Sequence, residues 1–336
     1  MNLTIDGYNI SIIPEQDLSK VMDQQALPYL SGICKTGFVE RPSYGNTAGE
    51  NPKGLYYEAY LPENARGAVV ISHGFCESIE KYKEMIYYFT QAGLQVYLAD
   101  HRGHGRSLRD VSHFSKVHIR RFEDYVEDLH AFITQVVKPS CGDLPLYLYA
   151  HSMGGGIGAL YLETYPDTFR KAVLNAPMLA IALGSVPELP AYFFGWLMVH
   201  IGKSENFAPG HHAFIPGERF EDSGSACPER FWYYQNKKEA TPLFQNCGAS
   251  CGWAYEAMKA CRRITKKENC NKVKLPVLVF QAQDDNSVKP SGMQKFVENT
   301  PSAKLVHIAD SKHEIYNSCS RVLKEYYKIL LDFLTK

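Results

Sequence analysis

The stretch Leu146–Gly158, LYLYAHSMGGGIG, decides how this chain is read. An apolar, β-prone run ends at Ala150, Ser152 follows between His151 and Met153, and Gly154, Gly155 and Gly156 lead into a helix-like segment. A strand that breaks abruptly into a helix holds a serine at the break in a strained, exposed position, as a nucleophile requires. The pattern is G-x-S-x-G with Ala150 in the place of the first glycine. Both flanking positions must be small because strand and helix backbones nearly touch there, and alanine is marginally acceptable. The competing reading is a glycine-rich turn carrying an ordinary serine, and the rest of the chain has to choose between the two.

Outward from this stretch, strands alternate with amphipathic helices. Upstream are strands at Leu55–Leu61, Ala68–Ser72 and Gln95–Ala99, with helices at Ile79–Ala92 and Phe122–Val137. A helix at Glu15–Leu30 and a Gly, Pro and Asn-rich loop at Arg41–Gly54 precede them. Downstream come a helix at Met153–Tyr165 and a strand at Lys171–Asn175. Such alternation argues for an α/β fold: a mostly parallel central sheet with helices on both faces. It stops at Pro177 and resumes with a strand at Val277–Gln281, a helix at Ser291–Asn299, a strand at Lys304–Ile308 and a helix at Cys319–Thr335. The interruption is rich in proline and aromatics and holds all three tryptophans, so it reads as an inserted subdomain. The expected organisation is core over residues 1–178, a cap or lid insertion over 179–272 and core again over 273–336.

Composition narrows the function. The 336 residues are 45% hydrophobic and 21% charged, as in soluble globular proteins. Lys plus Arg equals Asp plus Glu at 36 each, so nothing argues for a nucleic-acid partner. The N-terminus lacks a positive segment followed by a long apolar run, which argues against a secretory signal. The longest nearly uncharged stretch, Leu189–Gly202, is shorter than the roughly 20 residues of a spanning helix and is interrupted by Pro190 and Gly195. Nine scattered cysteines read as free, reduced thiols, so a cytoplasmic location is expected. The spacing of Cys247, Cys251, Cys261 and Cys270 fits no common zinc finger, and no metal or cofactor is expected.

In an open parallel sheet, ligands bind outside the carboxyl ends of the strands. His73-Gly74-Phe75, the run from Asp100 to Ser107, Ser152, the pair Asp284-Asp285 and His313 each follow a strand. They supply nucleophile, acid and base in the order Ser…Asp…His. Ser152 needs an imidazole to take its proton, and His313 is the candidate. A carboxylate must hold that imidazole in one tautomer. The phase of Ala282-Gln283-Asp284-Asp285 followed by Val288 favours Asp285 over Asp284. An oxyanion needs two preplaced N–H donors, and the backbones of Met153 and Phe75 are in position to give them.

The remaining histidines have plainer readings. His73, His101 and His104 organise turns, and His113, His118, His130 and His200 have no partner motif. His211-His212 suggests metal ligands, but neighbours on a strand point to opposite sides. In the insertion, Tyr192–Val199 (YFFGWLMV) is apolar all round. It reads as a buried helix or as the wall of an acyl-binding tunnel with a patch that touches lipid aggregates. Tyr192, Phe193 and Trp196 are its acyl-site candidates, and Trp232 and Trp253 are further lining or core.

The sequence resembles the serine hydrolases that include monoacylglycerol lipases and bacterial lysophospholipase L2. The match lies in ISHGFCESIEKY (Ile71–Tyr82), LADHRGHGRS (Leu98–Ser107), RFEDYVEDL (Arg121–Leu129), YAHSMGG (Tyr149–Gly155), LNAPM (Leu174–Met178), QAQDDNSVKP (Gln281–Pro290) and KHEIYNS (Lys312–Ser318). The resemblance implies the α/β-hydrolase fold with a cap over the site, matching the insertion. It implies Ser152 as nucleophile, Asp285 as acid, His313 as base, and Phe75 with Met153 as oxyanion hole. The substrate it implies is a fatty-acyl ester, a lysophospholipid or monoacylglycerol, with no obligate protein partner. Broad carboxylesterases and proline-type aminopeptidases share the group. A peptidase needs an acidic cluster in the cap for the free amine, which Glu218, Glu221 and Asp222 could supply. An acyltransferase would use the same three residues. A purely binding role is opposed by the presence of all three.

Overall fold

The computed structural model describes residues 2–45 and 52–336, so the loop expected at Arg41–Gly54 lies partly outside the described residues. Among them one sheet holds β1 (Cys34–Glu40), β2 (Gly54–Tyr60), β3 (Gly67–Ser72), β4 (Leu94–Ala99), β5 (Leu146–His151), β6 (Lys171–Asn175), β7 (Val277–Asp284) and β8 (Ala303–Lys312). Their spatial order is β1-β2-β4-β3-β5-β6-β7-β8. β1 pairs with β2, and β2 with β4, antiparallel; from β4 to β8 all neighbours are parallel. This is the α/β-hydrolase architecture.

The interior strands are apolar throughout because both faces are covered. Alternate residues go to opposite sides. Val70, Leu148, Ala150, Leu174 and Val279 join one buried cluster, while Val69, Ile71, Tyr149, Val173 and Phe280 join the other. The second cluster is closed by α1 (Lys83–Gln91), by an N-terminal arm running through Leu18 and Leu30, and by the C-terminal helix Ser320–Thr335. The first is closed by α2 (Glu123–Phe132), α3 (Met153–Thr164) and later helices.

β1 is the strand of this sheet that the sequence reading lacks. Of its seven residues only Val39 is buried, so an edge strand exposed along most of its length leaves no hydrophobic period to detect. Between β6 and β7 the chain leaves the sheet and forms α4 (Glu188–His200), α5 (Pro228–Ala240) and α6 (Cys251–Ile264). α6 presents Trp253, Ala257, Ala260, Cys261 and Ile264 to the same buried cluster as α2 and α3, so this part of the insertion is layered onto the core. α4 behaves oppositely. Gly195 is its one buried residue, while Phe193 is 62% and Leu189 73% exposed, which corrects the reading of a buried helix. α7 (Pro290–Asn299) and α8 (Ser320–Thr335) complete the fold.

Candidate active site

Ser152 stands between β5 and α3 with φ 52° and ψ −118°, a left-handed backbone that costs a non-glycine residue about 1–3 kcal/mol. The surroundings hold it there. Its N–H donates to Asn175 O at 3.1 Å, and its carbonyl accepts from Gly156 N at 3.0 Å and Met178 N at 2.8 Å. The glycines permit the close approach. A Cβ on Gly154 would lie 2.2 Å from Ser72 O, and one on Gly155 2.6 Å from Pro177 Cβ. Ala150 is accommodated because α3 opposes it with Gly158, where a Cβ would lie only 2.9 Å from the alanine's own.

Two other strand ends complete a hydrogen-bonded chain. His313 Nε2 is 2.8 Å from Ser152 Oγ, and His313 Nδ1 is 2.8 Å from Asp285 Oδ2. The other carboxylate oxygen of Asp285 accepts from Ser287 N at 2.8 Å and Val288 N at 3.0 Å, which fixes the side chain from behind. Burial pushes the Asp285 carboxyl upward, but the His313 bond and these amides outweigh it and hold its pKa below the usual range. An ionised Asp285 keeps the proton on Nδ1, so the Nε2 lone pair faces the serine hydroxyl. Asp284, one residue earlier, ends β7 and is exposed.

The His73–Phe75 turn follows β3. His73 Nε2 accepts from His101 N at 2.8 Å, which leaves Nδ1 to donate to Gly74 O at 2.8 Å. Burial lowers the pKa of His73, His101 and His104, so all three are neutral packing groups in this turn. Arg102, fully buried, donates to Asp128 through Nε at 2.9 Å and Nη2 at 3.0 Å. That pair joins the segments DHRGHGRS and RFEDYVEDL beneath the site.

Sequence reasoning missed a polar cluster beside His313. Glu77 is buried, accepting from Gly74 N, Tyr82 OH and Tyr316 OH at 2.6 Å each, with Lys81 Nζ 3.1 Å away. Burial raises its pKa, but Lys81, His151 and the tyrosines bring it below the carboxylate range. Lys81 also reaches Glu314 at 2.5 Å. His151 packs with its ring 4.9 Å from that of His313, and burial lowers its pKa to about 4. The signal was present, since Glu77 and Lys81 lie in the quoted Ile71–Tyr82 segment, but no spacing rule singles them out.

Ser152 and His313 open into a cavity of about 750 Å³ walled mainly by apolar groups such as Phe75, Met178, Ile181, Phe194, Trp253 and Met258. The Phe75 ring lies 4.2 Å from that of Trp253, so its bulk becomes part of this wall. From α4 it is Pro190, Ala191, Phe194 and Gly195 that face the cavity. Tyr192 instead packs on Tyr255, and Phe193 and Trp196 stack on each other on the exposed side, 5.5 Å between centroids. His211 and His212 sit in a loop, not a strand, and His211 lines the cavity. Glu218 pairs with Lys238 at 3.6 Å and Asp222 with Arg219 at 2.7 Å; neither these nor Glu221 line it. Among the described residues, the group of three potential metal ligands within 4.8 Å of one another is Glu15, Cys227 and Cys319, not the cysteines or histidines that the spacing drew attention to. The Arg230 guanidinium lies 3.6 Å from Cys227 Sγ, which sets a cation where a metal would have to sit. No helix among the described residues is long and apolar enough to cross a membrane.

The chain is similar to known proteins in sequence and in fold. The model of the family described as serine aminopeptidase, S33, matches residues 63–319. A probable lysophospholipase L2 of Haemophilus influenzae is 28% identical over 298 residues, covering 88% of this chain and 93% of that protein. A monoacylglycerol lipase of Mycolicibacterium smegmatis is 29% identical over 286 residues, covering 84% and 91%. Among solved structures, the monoacylglycerol lipase of Paleococcus ferrophilus superposes with a TM-score of 0.63 at 22% identity, covering 83% of this chain and 98% of that one. A thermostable carboxyl esterase of Bacillus coagulans does so with a TM-score of 0.68 at 20% identity, covering 89% and 97%.

Proposed function

As this chain belongs to the serine aminopeptidase S33 family, we propose that it is a serine hydrolase of fatty-acyl esters, acting on lysophospholipids or monoacylglycerols. It is an α/β-hydrolase of lysophospholipase- and monoacylglycerol-lipase-like type. The observation that carries the finer reading is the Ser152–His313–Asp285 chain at the floor of a mainly apolar cavity.

In this mechanism Ser152 Oγ attacks the ester carbonyl carbon while His313 Nε2 takes its proton. The oxyanion is met by the backbone N–H groups of Phe75 and Met153; one such donor is worth about 2.7–4 kcal/mol at the transition state. Collapse expels the alcohol, which leaves with the proton from His313, and an acyl-enzyme remains on Ser152. Water activated by His313 then releases the fatty acid. Asp285 orients the imidazole and stabilises its charged form.

Burial of an acyl chain needs only non-directional apolar surface, at about 0.8 kcal/mol per methylene. Residues 179–272 act as the cap that supplies much of it. The exposed apolar face of α4, with Leu189, Phe193 and Trp196, suits peripheral contact with lipid aggregates. An aminopeptidase reading is disfavoured: the carboxylates that line the cavity, Glu77 and Glu314, both pair with Lys81, which leaves neither to hold a free amine.

The test is hydrolysis of lysophosphatidylcholine, monoolein and a proline arylamide by wild type and Ser152→Ala. Turnover of the lipids by wild type alone, with fluorophosphonate labelling that vanishes in the variant, is expected. Preference for the arylamide, or labelling that survives the substitution, overturns the reading.

A further inference from the structure

The insertion meets the core along a seam that ends at two cysteines. Past His313 the chain runs to Cys319, the N-cap of α8. A segment of the insertion runs alongside it and ends at Cys227, the N-cap of α5. Glu314 N donates to Gly224 O at 2.8 Å, and Ser225 Oγ donates to Asn317 O at 2.9 Å. Cys319 Sγ then donates to Ala226 O at 3.5 Å. At the end of the seam the Cys227 and Cys319 sulfurs and a Glu15 carboxylate oxygen lie within 4.8 Å of one another. Both thiols are free; Cys227 is fully buried and Cys319 half-buried. Bonded sulfurs stand about 2 Å apart, and the gap left to close is within the sweep of one side-chain rotation. Arg230 Nη1 lies 3.6 Å from Cys227 Sγ and 3.4 Å from Ser320 Oγ, so the starts of α5 and α8 share one cation.

We propose that Cys227 and Cys319 form a reversible redox pair whose disulfide latches the insertion to the loop that carries His313. The oxidant it takes is a small soluble disulfide such as oxidised glutathione. Cys319, the accessible thiol, gives up its proton, and its thiolate attacks one glutathione sulfur. The S–S bond of the oxidant breaks, and one glutathione leaves as thiolate. Cys227 then loses its proton and attacks Sγ of Cys319, expelling the second glutathione. The two protons end on the two glutathiones, so two protein thiols are oxidised and one glutathione disulfide is reduced. Burial pushes the Cys227 thiol up to about 12 against the pull of Arg230, which makes it the second to react. The new bond reinforces a seam that hydrogen bonds already hold. The inference is independent of which ester the enzyme cleaves.

The test exposes the whole wild-type chain to glutathione buffers of rising oxidised share. Remaining thiols are capped with iodoacetamide and the peptides are mapped by mass spectrometry. A peptide pair joined through Cys227 and Cys319, and separated by dithiothreitol, is expected. Cys227→Ser should stop at a glutathione mixed disulfide on Cys319, whereas Cys319→Ser should leave Cys227 unmodified. Oxidation should raise the melting temperature of wild type by several degrees and leave that of either variant unchanged. Absence of the joined pair in a buffer that already modifies the half-buried Cys34 overturns the proposal. So does Cys319 joined to any other cysteine. A joined pair that leaves the melting temperature unmoved would refute the latch. The wild-type peptide map and melting curve decide the matter even where a variant fails to fold.

Discussion

At the scale of single residues, the structure gives two adjacent aspartates opposite surroundings. Asp285 is held on one oxygen by two backbone amides and offers the other to His313, whereas Asp284 is exposed at the end of β7. An amide in place of the Asp285 carboxylate can turn its NH₂ toward the imidazole and favour the wrong tautomer. The loss for such a change in a serine–histidine–aspartate system is about 10⁴-fold in kcat. Asp285→Asn should therefore lose activity by about that factor while Asp284→Asn stays within a few-fold of wild type, measured by steady-state hydrolysis of a p-nitrophenyl ester. The reverse ranking would move the acid by one residue. The contact of Asp285 with His313 was legible in sequence because Val288 marks the phase of the turn, and its N–H is one of the two that fix Asp285. Glu77 was not legible. Its partners come from a tyrosine five residues on, a tyrosine beside the base and the next helical turn, and no local spacing encodes that convergence.

At the scale of elements, the break between β5 and α3 works only because bulk lost at one position is conceded at another. A methyl on Gly158 would gain about 1 kcal/mol of helix propensity, but it would lie 2.9 Å from Ala150 Cβ and 3.1 Å from Leu148 Cδ2. Overpacking of that kind typically costs about 1–3 kcal/mol, so the contact decides the sign. Gly158→Ala should destabilise the protein by up to about 2 kcal/mol, and Ala150→Gly combined with it should recover most of the loss. A denaturation double-mutant cycle measures this, and a coupling near zero would show that the two positions accommodate bulk independently. The parallel strands and their helices were readable because two-sided burial writes continuous apolar runs into the sequence. β1 and α4 were not. The first is an edge strand with one buried residue, and the second is apolar on a face that the fold leaves in solvent. Hydrophobicity alone cannot separate such a face from a buried one, and for the same reason it named Phe193 and Trp196 where the cavity takes Ala191 and Phe194.

At the scale of the whole molecule, buried titratable groups on opposite sides of the sheet give the stability a shape in pH. His151 has its pKa lowered by burial to about 4, so the unfolded chain binds more protons as the pH falls from about 6.5, and stability declines toward acid. Glu163, on α3, has the opposite sign. Both of its carboxylate oxygens are buried without a hydrogen-bond partner, and burial raises its pKa to about 8 against the pull of Arg263 and Lys272. The folded state then binds the extra proton between about pH 4.5 and 8, so stability falls as the pH rises through that range. The two slopes offset each other below pH 6.5. Above it, of this pair, Glu163 acts alone, and the remaining interval is worth about 2 kcal/mol. Glu163→Gln removes the titration while keeping the shape. Its melting temperature should exceed that of wild type by several degrees at pH 8.5 and converge with it toward pH 5, read by calorimetry across a pH series. A constant offset at every pH would mean that the carboxyl titrates alike in the folded and the unfolded chain. The unpaired carboxyl on α3 would then be ionised and met by solvent in the folded protein, not neutralised by a proton.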